Sequence, residues 1–143
     1  MASNLGPGAA GFAPTIDPGL ISYTNAIYAL HALSLLIGLT TAATVVGSFV
    51  CGIPSIVAVI MNYARRSATY GTVLESHFSW QIRTFWFTVL WSVVIAMISA
   101  PLVLLFGLGI VVAFIGFGIL AIWIIYRVAR GWLALRDRRP MYI

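Results

Sequence analysis

Two long runs without a charged residue divide this chain. The first extends from Leu20 to Ala64 and the second from Thr84 to Tyr126. An apolar helix crosses a bilayer in about 20 residues, at about 1.5 Å of rise each. Each run is therefore long enough for two spans and a tight turn. The pattern predicts spans at about 24–44, 48–64, 80–105 and 108–127. Thr24 or Asn25 can cap the first of them. The polar and small residues between Gly38 and Ser48 place the first turn around Thr44–Ser48. Pro54 then fits the first turn of the second helix better than its middle. A helix beginning nearer Gly52 would leave a non-helical connection, tolerated only where protein shields it from lipid. Phe106-Gly107-Leu108-Gly109 is the second expected turn, with Pro101 expected to kink or stop the third span.

The segments outside the two runs are short. Residues 1–19 are rich in Gly, Pro and Ala and read as a flexible tail closed by the turn signal Asp17-Pro18-Gly19. They lack the basic lead of a signal peptide, and Met1-Ala2 lacks the glycine that myristoylation needs. Arg65-Arg66 and a polar loop from Ser67 to Gly71 separate the runs. Thr72 and Glu75 match the capping box, in which each side chain satisfies a free N–H of the other residue's backbone. The helix it starts continues through Glu75–Arg83 into the second run. Residues 133–143 form a short basic tail, expected to be exposed. The domain between the tails is 20–132.

Composition agrees with this layout. The chain is 62% hydrophobic and 8% charged, with mean hydropathy +1.04, whereas soluble domains carry roughly 25% charged residues. So much apolar surface requires a bilayer as solvent. The predicted fold is all-α, an integral membrane four-helix bundle of two transmembrane hairpins. The net charge is +5, and all eight basic residues are arginines. They flank apolar runs and form no basic-aromatic stripe elsewhere, which argues against nucleic acid. The positive-inside bias explains them instead. It places the loop at Arg65-Arg66 and both termini in the cytoplasm, in agreement with four spans. Trp123, Tyr126 and Trp132 suit an interfacial aromatic belt. Arg65, Arg66, Arg127, Arg130, Arg136, Arg138 and Arg139 are candidate contacts for anionic lipid headgroups, each worth ~1 kcal/mol. Arginine without lysine points, by compositional association, to a bacterium and so to its inner membrane.

Candidate chemistry is sparse. Cys51, the single cysteine, lies in an apolar run and can form neither an internal disulfide nor a cysteine zinc site. The polar residues near the spans are His31, Glu75, His77, Gln81 and Arg83, which form a candidate polar contact site. Glu75, Ser79 and Arg83 share one helix face, with Glu75 and Arg83 ~12 Å apart in rise. His77, Gln81 and Thr84 occupy the adjacent face. The span boundaries put His31 ~10 Å inside the first span, where an ionisable group is a functional candidate. Haem ligation by His31 and His77 is disfavoured by their different depths. No catalytic triad, carboxylate pair, metal cluster or phosphate loop stands out, so neither an enzyme nor a cofactor is expected. Small residues at Gly109, Ala113 and Gly116, facing Ser92, Ala96 and Ala100, should let the third and fourth spans approach closely.

The segments Tyr28-Ala29-Leu30-His31-Ala32-Leu33-Ser34 and Glu75-Ser76-His77-Phe78-Ser79-Trp80-Gln81-Ile82, with a proline-bearing second span and a basic loop between them, carry a resemblance. Over about residues 26–126 the chain resembles small bacterial membrane proteins of uncharacterised function. Those are distantly similar to the twenty-kilodalton channel-forming subunit of the chloroplast inner-envelope translocon. Ser79-Trp80-Gln81 stands where those proteins often have Asn-Phe-Gln. The resemblance implies four helices; it carries no established activity and does not make this chain a protein channel. Two functions fit the residues: a non-enzymatic scaffold or accessory subunit in a larger membrane complex or homo-oligomer, or a transport component with a polar path near His31, Glu75 and His77.

Overall fold

The computed structural model describes residues 16–41, 45–105 and 107–141; of residues 41 and 45–51 it describes the backbone alone. Among the described residues there are four α-helices and no strand: α1 (Pro18–Thr41), α2 (Val45–Ala64), α3 (Val73–Val103) and α4 (Leu108–Arg136). A short 3₁₀ turn, Arg66–Thr69, lies between α2 and α3. At about 1.5 Å per residue the four are roughly 36, 30, 46 and 44 Å long. α1, α3 and α4 are long and apolar enough to cross a membrane, and the apolar stretch described in α2, Gly52–Ala64, is shorter. The all-α, four-helix expectation holds.

The helix ends show local chemistry at work. α1 begins before Thr24 because Asp17-Pro18 is a cap rather than a closing turn. The Asp17 carboxylate accepts the Gly19 N–H at 2.9 Å and its carbonyl accepts the Leu20 N–H at 2.9 Å. Pro18 is preset for the first helical position. Thr24, expected as a cap, lies inside the helix and donates to the Leu20 carbonyl. His31 consequently sits about 20 Å along α1 rather than ~10 Å. Val45–Ser48 are helical, so the first turn is not at Thr44–Ser48; residues 42–44 lie outside the described residues, as do residues 1–15 of the expected tail and the Cys51 side chain. Pro54 stands in the interior of α2, not its first turn, where it leaves the carbonyl four residues earlier without its helical donor.

Thr72 is the N-cap of α3, as the capping box requires, but the reciprocal bonds do not form. Thr72 Oγ1 donates back to the Thr69 carbonyl at 2.7 Å, and Glu75 accepts the Gly71 N–H at 3.0 Å. The Thr72 hydroxyl is aimed at the preceding 3₁₀ turn, and the Glu75 N–H that it would accept in a capping box is taken by the Thr72 carbonyl at 3.2 Å. The α3–α4 turn uses Gly107 with φ 72°, a left-handed conformation that glycine adopts without steric penalty.

α1 packs chiefly on α2 and α3 on α4, and the two hairpins meet mainly through α1 and α4. This antiparallel arrangement gathers all charged residues at one end of the bundle, where α1 and α3 start and α2 and α4 finish. The buried core lies at this charged end: Leu20, Tyr28, Leu74, Val128 and Leu135 in one cluster, Ile27, Ala58 and Phe78 in another. Towards the opposite end α3 and α4 touch at Gly109 and Gly116, as expected of small residues. Their partners on α3 are Ser99 and Ile95; Ala96 and Ala100, expected there, are exposed. The outer surface is apolar, with Leu104 89% and Phe114 83% exposed. An apolar surface this continuous marks contact with lipid or with other protein.

α4 runs past Tyr126 to Arg136, and the chain then folds back. Arg138 takes a left-handed φ of 52°, and Met141 is 5% exposed. Its N–H donates to Ser76 Oγ at 3.0 Å. The C-terminal segment is thus docked on α3 up to Met141, contrary to the expected free tail. Asp137 sits in the turn between Arg136 and Arg139. Its hydrogen bond from Arg139 holds the carboxyl below the usual carboxylate range.

Candidate functional site

The inward faces of α1 and α3 carry polar stripes at helical spacing. On α1 they are Thr24, Tyr28, His31 and Ser34; on α3, His77, Gln81 and Thr84, all buried. Residues three and four apart share a helix face, so each stripe points as a unit into the bundle. The stripes meet below the charged end, where α4 contributes Arg127.

His77 is the central connector. Its Nε2 lies 2.9 Å from the Arg139 carbonyl and its Nδ1 2.9 Å from the Tyr28 hydroxyl. A carbonyl can only accept, so Nε2 bears the proton. In the neutral ring Nδ1 then accepts, and the Tyr28 O–H donates. One imidazole thereby joins α1, α3 and the C-terminal segment. Tyr28 also stacks on Trp132 of α4 at 6.4 Å, and the Trp132 indole N–H donates to Asn25 at 3.0 Å. His31 makes a separate link, 3.2 Å from Ser55 Oγ on α2.

Arg127 is held from several sides. Its Nε donates to Thr84 Oγ1 at 2.7 Å, and its guanidinium lies 3.6 Å from the Trp80 ring centroid and 5.0 Å from that of Trp123. The Trp80 N–H donates to the Arg127 carbonyl at 3.2 Å. The ion pairs among the described residues join Asp137 to Arg136 and Arg139, so the aromatic faces supply Arg127's negative potential.

Tyr28, His31, Trp80, Gln81, Thr84 and Arg127 surround a void of about 10 Å³. His31 Nε2, both polar atoms of the Gln81 amide and Arg127 Nη2 are buried without a hydrogen-bond partner. Gln81 lies beside the Tyr28 hydroxyl without closing a hydrogen bond. The void matches the space of a single water. An unmade buried hydrogen bond costs ~1–3 kcal/mol. Gln81→Leu should therefore leave stability within about 1 kcal/mol of the parent or raise it, read as thermal unfolding in detergent micelles. A larger loss would show that the amide is bonded after all.

Of the five residues expected to form one site, His31 and Gln81 line this void and His77 lies one turn from Gln81. Glu75 is half-buried and turned to Gly71, and Arg83 is exposed. The face with His77, Gln81 and Thr84 turns inward, and the face with Glu75 and Arg83 does not. His77 meets Tyr28 and the C-terminal segment, not His31. Arg127, expected at headgroups, is turned inward onto Thr84 and Trp80. Arg65 lies 4.9 Å from the Tyr23 ring and Arg130 donates to the Tyr126 hydroxyl at 2.7 Å. Tyr28, Ser55, Trp80 and Trp132 were missed as site residues. The spacing of Thr24, Tyr28, His31 and Ser34 was a readable signal for Tyr28; nothing in the chain pairs Ser55 with His31.

Among the described residues no group of three or more His, Cys, Asp or Glu side chains converges. What the arrangement does chemically is cross-link helices through hydrogen bonds and aromatic faces. Compared with known proteins, the chain matches no family model, no curated protein and no solved structure.

Proposed function

We propose that this protein is an integral membrane scaffold or accessory subunit without catalytic chemistry, set in a bacterial inner membrane with both termini cytoplasmic. The observation that carries the reading is how the polar groups are spent. His77, Tyr28, Thr84 and Arg127 bind one another or the backbone inside the bundle, while the outward faces of α3 and α4 are left apolar. Such a body offers rigid apolar faces to lipid and to other helices. The likeness to the translocon-related proteins enters at the level of architecture alone.

The test is site-specific photo-crosslinking in the native membrane from Phe114, with Tyr70 outside the spans as control. Protein adducts from Phe114 are expected, together with an assembly larger than one chain in mild detergent. A monodisperse monomer giving only lipid adducts would overturn the proposal. The unpaired polar atoms around the 10 Å³ void favour a second reading, a transport component whose polar path opens there. That reading requires ion or solute flux in reconstituted vesicles that His31→Ala alters, and it fails if vesicles show no flux.

A further inference from the structure

A groove of about 640 Å³ opens at the charged end between α1, α3 and α4. Its volume lies within the range of small-molecule sites, roughly 300–1,000 Å³. Ile16, Ile21, Leu74 and Leu133 contribute apolar wall, and Arg136 and Arg138 stand on its rim. Neither arginine is neutralised well. Arg136 reaches Asp137 only at 3.8 Å, and Asp137 is already hydrogen-bonded to Arg139. Arg138 lines the groove, makes no ion pair among the described residues and takes a left-handed backbone conformation.

An apolar trough with two cations at its mouth is complementary to an amphiphile with an anionic head. The groove also has the right level. Trp132 lines it, and tryptophan is enriched where helices leave the bilayer. We infer that this groove binds an anionic phospholipid, with an acyl chain along the apolar wall and the phosphate on Arg136 and Arg138. The inference rests on the membrane placement proposed above but not on the scaffold role. It differs from diffuse attraction between basic residues and a charged leaflet, because shape and charge must act together.

The full chain, inserted in nanodiscs that contain phosphatidylglycerol and phosphatidylcholine, is released and weighed by native mass spectrometry. One phosphatidylglycerol per chain should be retained, in preference to phosphatidylcholine. Arg136→Gln with Arg138→Gln should lower that retention by about tenfold or more, as two arginines near an anionic headgroup imply. Leu133→Trp, which fills the groove and keeps both charges, should lower it as well. Arg65→Gln with Arg66→Gln, outside the groove, should lower it severalfold less than the Arg136 and Arg138 changes, and soluble glycerol phosphate should not compete. Circular dichroism confirms that each variant is folded. Equal loss from the Arg65 and Arg66 changes, no loss from Leu133→Trp, or competition by glycerol phosphate would each overturn the inference. So would a rise in retention on deleting residues 2–15, which would assign the groove to the chain's own N-terminal segment. Failure of the chain to enter nanodiscs would instead refute the membrane placement.

Discussion

Gly109→Ala should push α3 and α4 apart at the uncharged end and lower stability by about 3 kcal/mol, the upper range for overpacking. A Cβ at residue 109 would overlap the Ser99 carbonyl oxygen and Val103 N and lie 2.8 Å from Leu102 C. All three are backbone atoms, so no side-chain rotation relieves the clash. The helices themselves must separate, and this contact is the kind on which helix association in lipid depends. Gly118→Ala supplies the control, since nothing lies within 4 Å of its added Cβ. It should be neutral or stabilise by up to about 1 kcal/mol, because alanine is the better helix former. Thermal unfolding of both variants in detergent micelles decides the matter. Equal midpoints for the two would mean that α4 does not approach α3 as described.

His77→Ala is the second large effect. It strands the buried Tyr28 hydroxyl, which loses ~1–3 kcal/mol when left unpaired, and removes the His77 donor from the part-buried bond to the Arg139 carbonyl. The combined loss should be about 3 kcal/mol, and the C-terminal segment should detach from Ser76. Trypsin cleavage after Arg138 reads that detachment directly and should quicken. His77→Gln places an N–H and a carbonyl in similar positions and should restore part of both effects. Tyr28→Phe combined with His77→Ala should cost less than the sum of the two single changes, because both remove one bond. Strict additivity, with no change in cleavage, would mean that His77 is a filler rather than a connector.

The legible part of this fold is the part set by neighbours in the chain. Two uncharged runs flanked by arginines specify four helices and the end at which charge collects. Thr72 marks the start of α3, although the bonds that close it come from the 3₁₀ turn. The start of α1 was misplaced because Asp17-Pro18 suits a turn as well as a cap. The expected end of α4 is where the uncharged run stops, yet Leu135 and Met141 find buried positions beyond Arg127 and Arg130. That burial depends on α3 and cannot be seen along α4 alone.

The candidate site divides in the same way. Its residues were readable as polar positions in apolar surroundings, where each demands a partner. Their partners were not. His77 and His31 look like a pair in the chain, but His77 reaches Tyr28 and Arg139 while His31 reaches Ser55.

By itself, the sequence determined the all-helical character, the number of helices and the collection of charge at one end. Hydrogen bonding within a helix is local, and run length and charge need no neighbour to be counted. The tertiary structure alone decided which face of α3 turns inward, that Gly109 meets the backbone at Ser99, and that the C-terminal segment returns to Ser76. Those outcomes depend on the relative rotation and depth of two helices. That is a joint property of two surfaces, and neither carries it alone.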